Sequence, residues 1–525
     1  MKTIRAITFL LILSLGYASG KAQSIQEGMK AIEIQKMETA KRIFQSLINK
    51  ETQNAALYYY MGTAYLGSSR PDSAKMYFDK GLNINANEPL NYIGTGALAL
   101  NKNDQAGAKS NFDKAISLAP KNSNVYILIA DALINSEYFD YNKAIVLLNK
   151  AKELDKMNPK IYVLLGDAYV ELLDGASALK NYDKSLEIDK KYILGNLRLG
   201  ETLVRIKNNE EALASFQNVL KIDSLYGPAY KDLGELYFQM RDFPKAKNAY
   251  KKYVDLTENN TAARIRYAQF LFLSNDYQNT VLESNNILKT DTTNNVIYRI
   301  LGYSSYETGN FDGGVAAMKK FFSKANSKKI LTSDYEYYGK LLSKTGKDSL
   351  AMANVKIALQ KDSTKIELHT VLAELYTKNK QYKEAAAEYL YKIKNSKRAS
   401  TQDYHKLGLS YYYANEFAKG DSAFMKVVEL SPTFQGGYLY RARCNSQLDP
   451  ESTKGLAKPF YEKFIELAAV DPVKYKTELL SAYKYLGSYY FLQLKDNATA
   501  KTFWLKVKEL DPKDKQMMDV LKALK

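Results

Sequence analysis

A small residue recurs every 34 positions along most of this 525-residue chain, and large rings stand at fixed distances from it. In one clear copy, Gly166 follows Tyr162 by four residues, and Ala178 and Tyr182 follow it by twelve and sixteen. The small residues that keep this phase without interruption are Gly166, Gly200, Gly234, Ala268 and Gly302. A period of this length requires one supersecondary unit that stacks on copies of itself, because a single unit cannot cover its own apolar face.

Each period predicts two amphipathic helices, since apolar residues follow one another at spacings of three and four. No stretch alternates apolar and polar residues for long enough to predict a strand. The pattern resembles the tetratricopeptide repeat, a helix-turn-helix unit of 34 residues. Further copies centre on Gly62, Gly96, Ala130, Gly339, Ala373, Gly408, Ala442 and Gly487. A degenerate first unit is recognisable only from its second helix, at Ala40 and Phe44.

The resemblance implies an all-α fold: a right-handed superhelical solenoid of about fourteen helical hairpins with a C-terminal capping helix. The spacing widens between Gly302 and Gly339, where a lysine-rich insertion interrupts the phase. We therefore expect an N-terminal array over residues 23–330 and a C-terminal array over residues 331–513. Residues 514–525 form the predicted cap, which covers the last apolar face.

The first 22 residues have the composition of a secretory signal peptide. Lys2 and Arg5 precede an apolar stretch from Ala6 to Ala18, which is shorter than the roughly 20 residues that span a bilayer. Small residues before Gln23 predict cleavage after Ala22, and no later stretch predicts a transmembrane segment. We expect a periplasmic or secreted protein.

Catalytic chemistry is not expected, because the residues that it requires are scarce. The chain has two histidines and one cysteine, and none of them has the spacing of a metal site. We expect no enzyme activity, no cofactor and no metal. In repeat phase, His369 occupies a ring position of the core, whereas His405 lies on the inner side of its helix. The net charge of +18 is spread along the chain without a basic cluster, so no nucleic acid is expected as a partner.

In tetratricopeptide stacks the first helices line a concave groove, and the resemblance implies which residues face it. Four successive units carry an acid directly after the central small residue, and this acidic ladder predicts a partner with lysine or arginine. The alternative is that these acids are ordinary solvated residues of a helix. The residues expected to line the groove are Asp131, Asp167, Arg198, Glu201, Lys231, Glu235, Phe238, Arg266, Phe272, Arg299, Tyr303 and Tyr306.

The implied function is a non-catalytic protein–protein interaction scaffold of the bacterial cell envelope, which binds peptides or helices in its groove. Its expected partners are other envelope proteins, such as components of outer-membrane assembly, secretion or gliding. The alternative is an accessory protein that binds glycan or peptidoglycan on groove tyrosines, and an enzyme accessory is a weaker third. Asp-Ser pairs begin at Asp72, Asp348 and Asp421, and they predict either O-glycan acceptors or helix caps.

Overall fold

The structure is a computed structural model that describes residues 24–258 and 260–524. Within these ranges the chain forms helices joined by short turns, and no strand is present. The predicted signal peptide lies outside the described residues. The chain divides into two compact units between Thr290 and Asp291, which we call unit 1 and unit 2. The predicted boundary at residue 330 lies further along the chain, inside unit 2.

Unit 1 contains sixteen α-helices over its described residues, numbered in chain order. They are α1 (Ile25–Glu33), α2 (Met37–Lys50), α3 (Ala55–Gly67), α4 (Pro71–Ile84), α5 (Pro89–Asn101), α6 (Gln105–Leu118), α7 (Ser123–Asn135), α8 (Tyr141–Leu154), α9 (Pro159–Glu171), α10 (Gly175–Ile188), α11 (Ile193–Arg205), α12 (Asn209–Ile222), α13 (Gly227–Gln239), α14 (Phe243–Leu256), α15 (Thr261–Leu273) and α16 (Tyr277–Leu288).

Unit 2 contains thirteen α-helices in its described part and one 3₁₀ turn at Ser327–Lys329. They are α17 (Asn295–Glu307), α18 (Phe311–Lys324), α19 (Thr332–Lys344), α20 (Asp348–Lys361), α21 (Ile366–Lys378), α22 (Tyr382–Asn395), α23 (Thr401–Tyr413), α24 (Phe417–Leu430), α25 (Gln435–Leu448), α26 (Lys458–Ala468), α27 (Lys476–Leu492), α28 (Asn497–Leu510) and α29 (Lys515–Ala523).

Each odd-numbered helix packs against the helix that follows it, so α1 to α28 form fourteen hairpins and α29 packs on the last one. The predicted all-α stack of helical hairpins is therefore confirmed. The central glycine of most first helices lies against a ring of the second helix, whereas Gly302 and Gly339 lie against Met318 and Val355. A Cβ added at Gly62 would lie 2.3 Å from a ring carbon of Phe78, and one at Gly166 would lie 2.3 Å from Tyr182. This close approach explains why the repeat requires a small residue at this position.

The first hairpin is complete, although only its second helix was recognisable from the sequence. Gly28 stands 34 residues before Gly62, and an added Cβ there would lie 2.4 Å from Phe44. The helix that contains Gly28, α1, has nine residues, whereas the other first helices of unit 1 have thirteen. The missing ring before Gly28 explains why the pattern was not identified there.

The turn inside a hairpin usually contains one residue with a left-handed backbone. Two of these residues are glycines, Gly309 and Gly346, but most are not. Leu173 has a φ of 62° and is 93% exposed. The other non-glycine residues of this kind in unit 1 are Gln35, Ser69, Asn103, Lys207, Arg241 and Asn275.

The Asp-Ser pairs do not cap their helices, contrary to one of the two interpretations above. The residues at the caps of α4, α20 and α24 are Arg70, Lys347 and Glu416, and none makes a side-chain capping bond. Asp421 lies inside α24, where it binds the guanidinium of Arg441 at 2.8 Å. Finally, no helix of the described chain is both long and apolar enough to span a bilayer.

Candidate functional site

The side of the first helices that carries the twelve predicted groove positions is called the inner face here. Nine of the twelve residues belong to unit 1, and Arg299, Tyr303 and Tyr306 belong to unit 2. In unit 1, Asp167, Arg198 and Glu201 line one cavity of about 240 Å³. Asp131 lines a neighbouring cavity of about 390 Å³ between α3, α5 and α7. The structure therefore brings the first four predicted residues to adjoining cavities.

The acidic ladder is a ladder of ion pairs in the structure. Three of the four acids that follow a central small residue contact a cation from the first helix of the next hairpin, and Glu201 contacts one on its own helix. The contacts are Asp131–Lys160 at 3.1 Å, Asp167–Arg198 at 3.4 Å, Glu201–Arg198 at 2.7 Å and Glu235–Arg266 at 2.6 Å. A cationic partner would compete with these cations for the carboxylates, and the predicted partner chemistry stays a prediction.

One carboxyl group of this ladder, Asp167, and one beside it, Asp232, have strongly raised pKa values. Burial raises the pKa of Asp167 to about 6, against the opposing effects of Arg198 and a hydrogen bond from Tyr182. Burial and the neighbouring charge of Glu201 raise the pKa of Asp232 to about 7. Asp232 was absent from the predicted set, although its position two residues before Gly234 matches that of Arg198 before Gly200. Unit 1 therefore holds a pair of acids that titrate near neutral pH.

The remaining predicted residues of unit 1 form a more aromatic part of the inner face. The guanidinium of Arg266 lies 4.6 Å from the ring centre of Phe238 while it binds Glu235. Phe272 lies in a tilted contact with Tyr277, with ring centres 5.9 Å apart. Lys231 is half-buried on α13. A cation stacked on a ring, next to a carboxylate, suits recognition of mixed polar and apolar side chains.

Two of the three predicted residues in unit 2 are already engaged inside the unit. Asp334 is fully buried on α19, and it accepts bonds from Arg299 Nε at 2.8 Å and from the Tyr303 hydroxyl at 2.6 Å. Arg299 therefore acts first as the counter-ion of a buried carboxylate. Tyr306 lies nearer the surface, with its ring centre 5.8 Å from that of Tyr337.

Helix α1 also faces the inner face of unit 1, which the sequence did not predict. A cavity of about 230 Å³ separates it from α7, α9 and α11. Its lining includes Met29, Ile32 and Glu33 from α1 and Asp131, Asp167 and Arg198 from the other three helices. The pKa of Glu33 is raised, because nearby atoms remove water from its carboxylate, although the residue as a whole remains exposed.

Unit 2 has an apolar cavity that the predicted set did not include. It measures about 410 Å³ and lies between α21, α22 and α23. The ring centres of Tyr382 and Tyr413 are 5.3 Å apart beside it, and Leu409, directly after the central Gly408, lines it. Tyr413 is 49% exposed. The position of Leu409 in the repeat is the signal that places this cavity on the inner face.

Residues with reactive side chains are engaged in packing or buried. His369 is buried, and its Nδ1 lies 2.5 Å from the Glu388 carboxylate. His405 packs edge-on against three rings, and burial lowers its pKa. Cys444 is fully buried, which raises the pKa of its thiol to about 12. In residues 24–258 and 260–524, no group of three or more His, Cys, Asp or Glu side chains is arranged to bind a metal ion.

Comparison with known proteins gives a consistent result. A tetratricopeptide repeat model matches residues 228–260. The solved C-terminal part of a TPR repeat-containing protein from Cytophaga hutchinsonii is 35% identical, over 49% of this chain and 99% of that one, with a TM-score of 0.41. A tetratricopeptide repeat protein from Parabacteroides merdae is 18% identical over 49% of this chain and 98% of its own, with a TM-score of 0.31. No curated protein matches the chain.

Proposed function

Because this chain belongs to the tetratricopeptide repeat family, we propose that it is a non-catalytic scaffold that binds peptides or helices of partner proteins on its inner faces. Proteins built from such repeats are generally non-catalytic scaffolds for other proteins. Their stacked hairpins offer extended surfaces on which a partner contacts several repeats at once.

The observation that carries the proposal is the series of cavities along the inner faces. Unit 1 has neighbouring cavities of about 240 and 390 Å³, and unit 2 has the apolar one of about 410 Å³. Peptide-binding surfaces take successive side chains in separate pockets, and they combine apolar walls with a few charged groups. The aromatic walls of the unit 2 cavity favour an aliphatic or aromatic side chain, and the ion pairs of unit 1 favour polar ones.

The two units differ in charge, which favours different partner segments. Residues 24–290 contain 34 basic and 31 acidic residues, whereas residues 291–525 contain 38 basic and 26 acidic residues. The excess of cations therefore lies mainly in unit 2. A positive surface attracts acidic partners at long range, and this attraction weakens as salt is added. We accordingly assign the more acidic segment of a partner to unit 2.

We further propose that the scaffold works in the bacterial cell envelope. The support is the composition of residues 1–22, where a basic start precedes an apolar stretch and a small-residue cleavage motif. Components of outer-membrane assembly, secretion or gliding are the candidate partners. Tests of export and of cleavage after Ala22 are fractionation of cells and determination of the mature N-terminus.

Affinity capture from envelope extracts tests the function. Charge reversal of Glu201 and Glu235 to lysine removes two carboxylates of the inner face, so that Arg266 loses its ion pair and Arg198 keeps only the one with Asp167. We expect the captured partner to fall at least severalfold, with helicity retained. The matched control reverses Glu153 and Glu187, which form exposed pairs with lysines on their own helices, and should leave capture intact.

Three results would contradict the proposal. The first two are unchanged capture after reversal of both inner-face acids and an equal fall in capture with the control. Retention on peptidoglycan or glycan beads without any protein partner would instead support the glycan-binding alternative.

A further inference from the structure

We propose that one edge of unit 1 is a contact surface between two copies of this chain, which pair about a two-fold axis through exposed apolar residues of the hairpin turns. These residues, called the edge row here, belong to the turns of the fourth to seventh hairpins. They are Tyr138, Phe139, Leu172, Leu173, Ile206 and Met240. The inference goes beyond the proposed function, because the edge row lies in the turns and not among the groove positions of the inner face.

The edge row is apolar where comparable turns of the same unit are polar. Leu172, Ile206 and Met240 each stand six residues after the central glycine of their hairpin. In the first hairpin this position is Ile34, which is half-buried against the apolar cluster that includes Leu197. The residues at this position and the next in the second, third and eighth hairpins are Ser68–Ser69, Lys102–Asn103 and Ser274–Asn275. The repeat itself therefore does not require an exposed apolar residue here.

Leu173 is unfavourable in a single copy for two reasons. Its φ of 62° places it in left-handed backbone, and it is 93% exposed. Among the described non-glycine residues with such a backbone, it is the only one with an apolar side chain. Residues with strained backbone concentrate at binding and switch regions. A second copy that covers this side chain would remove the cost of its exposure to water.

The turn of the fourth hairpin extends the edge row with aromatic side chains. Residues 136–140 separate α7 from α8, whereas only residues 172–174 separate α9 from α10. The longer turn carries Tyr138 and Phe139, and the Phe139 ring is stacked on Tyr141 with ring centres 4.5 Å apart. Phe139 nevertheless remains 57% exposed. Because its ring is already held in place, covering it costs little further side-chain entropy.

These turns lie side by side, so the edge row is continuous. Glu171 at the end of α9 pairs with Arg205 at the end of α11 at 3.3 Å. Asn135 and Tyr141, on either side of the fourth turn, line the same cavity as those two residues. Neighbouring helices pack about 10 Å apart, so four turns make a row about 30 Å long. Specific interfaces bury about 800 Å² on each partner, a patch about 30 Å across, so the row is long enough for a dimer contact.

The charges beside the edge row identify a second copy as the partner. The turns of the fourth and fifth hairpins carry Glu137, Asp140 and Asp174 and no basic residue. The turns of the sixth and seventh hairpins carry Lys207 and Arg241 with a single acid. A two-fold axis across the middle of the row reverses one copy relative to the other, so the acidic half of each row faces the basic half of its partner. Opposite charges across an interface fix its register and disfavour the parallel arrangement.

Sedimentation equilibrium of the chain without its predicted signal peptide tests the pairing. We expect the mass to rise from one chain toward two between about 1 and 100 µM, because dimerisation depends on protein concentration. The variant Leu173→Asn with Ile206→Ser introduces the residue types that the eighth hairpin has at these positions. It should raise the Kd of the dimer about tenfold or more, because each lost apolar side chain occurs twice in the contact.

Two controls separate pairing from folding. The variant should keep its melting temperature in dilute solution, because asparagine tolerates the left-handed backbone at position 173. Val146→Ser with Leu225→Ser removes two apolar side chains that are comparably exposed but lie outside the edge row. This second variant should leave the Kd of the dimer unchanged.

An exchange of charges tests the two-fold arrangement at low ionic strength. Arg241→Glu and Glu137→Lys should each weaken the dimer severalfold, and both together in one chain should restore it, because the two positions face each other across the axis. A combined variant that does not recover would overturn the proposal. So would a single-chain mass at about 100 µM, or a dimer that is unaffected by the changes at Leu173 and Ile206. Loss of capture of another protein on those changes, with a wild type that stays monomeric, would assign the edge row to that protein and overturn the proposal as well.

Discussion

The buried carboxylate of Asp334 offers the sharpest test of how unit 2 is stabilised. It accepts two bonds from Arg299, at 2.8 and 2.9 Å, one from Tyr303, and one from the Leu331 backbone N–H at 2.7 Å. Asp334→Ala removes the two oxygens that accept these four bonds. The guanidinium then keeps only its bond to the Lys329 carbonyl oxygen, at 2.7 Å.

The expected loss of stability is large because a charge is left without its partner. Breaking a buried ion pair from one side costs about 3–5 kcal/mol. The Arg299 side chain keeps 20% exposure, so we expect the lower end of this range, about 3 kcal/mol. For a unit of this size, roughly 2–4 °C of melting temperature correspond to each kcal/mol, which predicts a fall of about 6–12 °C.

Thermal unfolding followed by circular dichroism measures the shift, and hydrogen exchange in α19 locates it in unit 2. The matched control is Glu429→Ala, which removes an acid from an exposed pair with Lys426 and should change stability by less than about 0.5 kcal/mol. A fall in melting temperature of under about 2 °C for Asp334→Ala would refute the reasoning, because the arginine would then be adequately solvated without its partner.

Further predictions concern pH, packing and reactivity. Burial raises the pKa of Asp167 to about 6 and of Asp232 to about 7, so folded unit 1 binds protons that the unfolded chain releases near pH 4. Stability is therefore lost as the pH rises from about 4 to the folded pKa values of about 6 and about 7, and the loss levels off above them; the melting temperature should be lower at pH 8 than at pH 5, and asparagine at both sites should flatten this dependence. Gly166→Ala places a Cβ 2.3 Å from a ring carbon and should cost about 1–3 kcal/mol in denaturant unfolding, whereas Gly175→Ala meets no atom within 4 Å and should be nearly neutral. Cys444 should resist thiol reagents in the folded chain and react on unfolding, since burial raises its pKa to about 12; rapid labelling of the native protein would contradict this.

The pairing of helices follows from the sequence because the period encodes local packing. Gly62 and Phe78 lie within one repeat, and a glycine–ring contact of this kind recurs in most copies with a central glycine, so the pattern is visible without the structure. The same logic places Asp167 and Glu201 on one surface. Contacts of this kind depend only on the position of a residue within the 34-residue frame.

Contacts between hairpins vary from copy to copy, and the 34-residue period alone does not report which side chains will pair. Arg198 pairs with Asp167 of the preceding hairpin, and Arg299 pairs with Asp334 of the following hairpin. Both arginines were predicted to face a partner, and their internal pairs depend on which acid happens to occupy a neighbouring helix. The meeting of Glu33 with Tyr226, 193 residues later, depends on how the whole of unit 1 curves, which no local pattern reports.

The residues with a left-handed backbone in the hairpin turns also affect the thermal stability of unit 1. A branched or long side chain in that backbone region costs about 1–2 kcal/mol, whereas asparagine tolerates it. The chain already uses asparagine at two such turns of unit 1 and a larger side chain at Leu173, Lys207 and Arg241. These turns are separated by at least one whole repeat, so the gains from replacing each with asparagine should add. Unit 1 thus contains three turn positions at which substitution by asparagine should raise the melting temperature without altering the inner face.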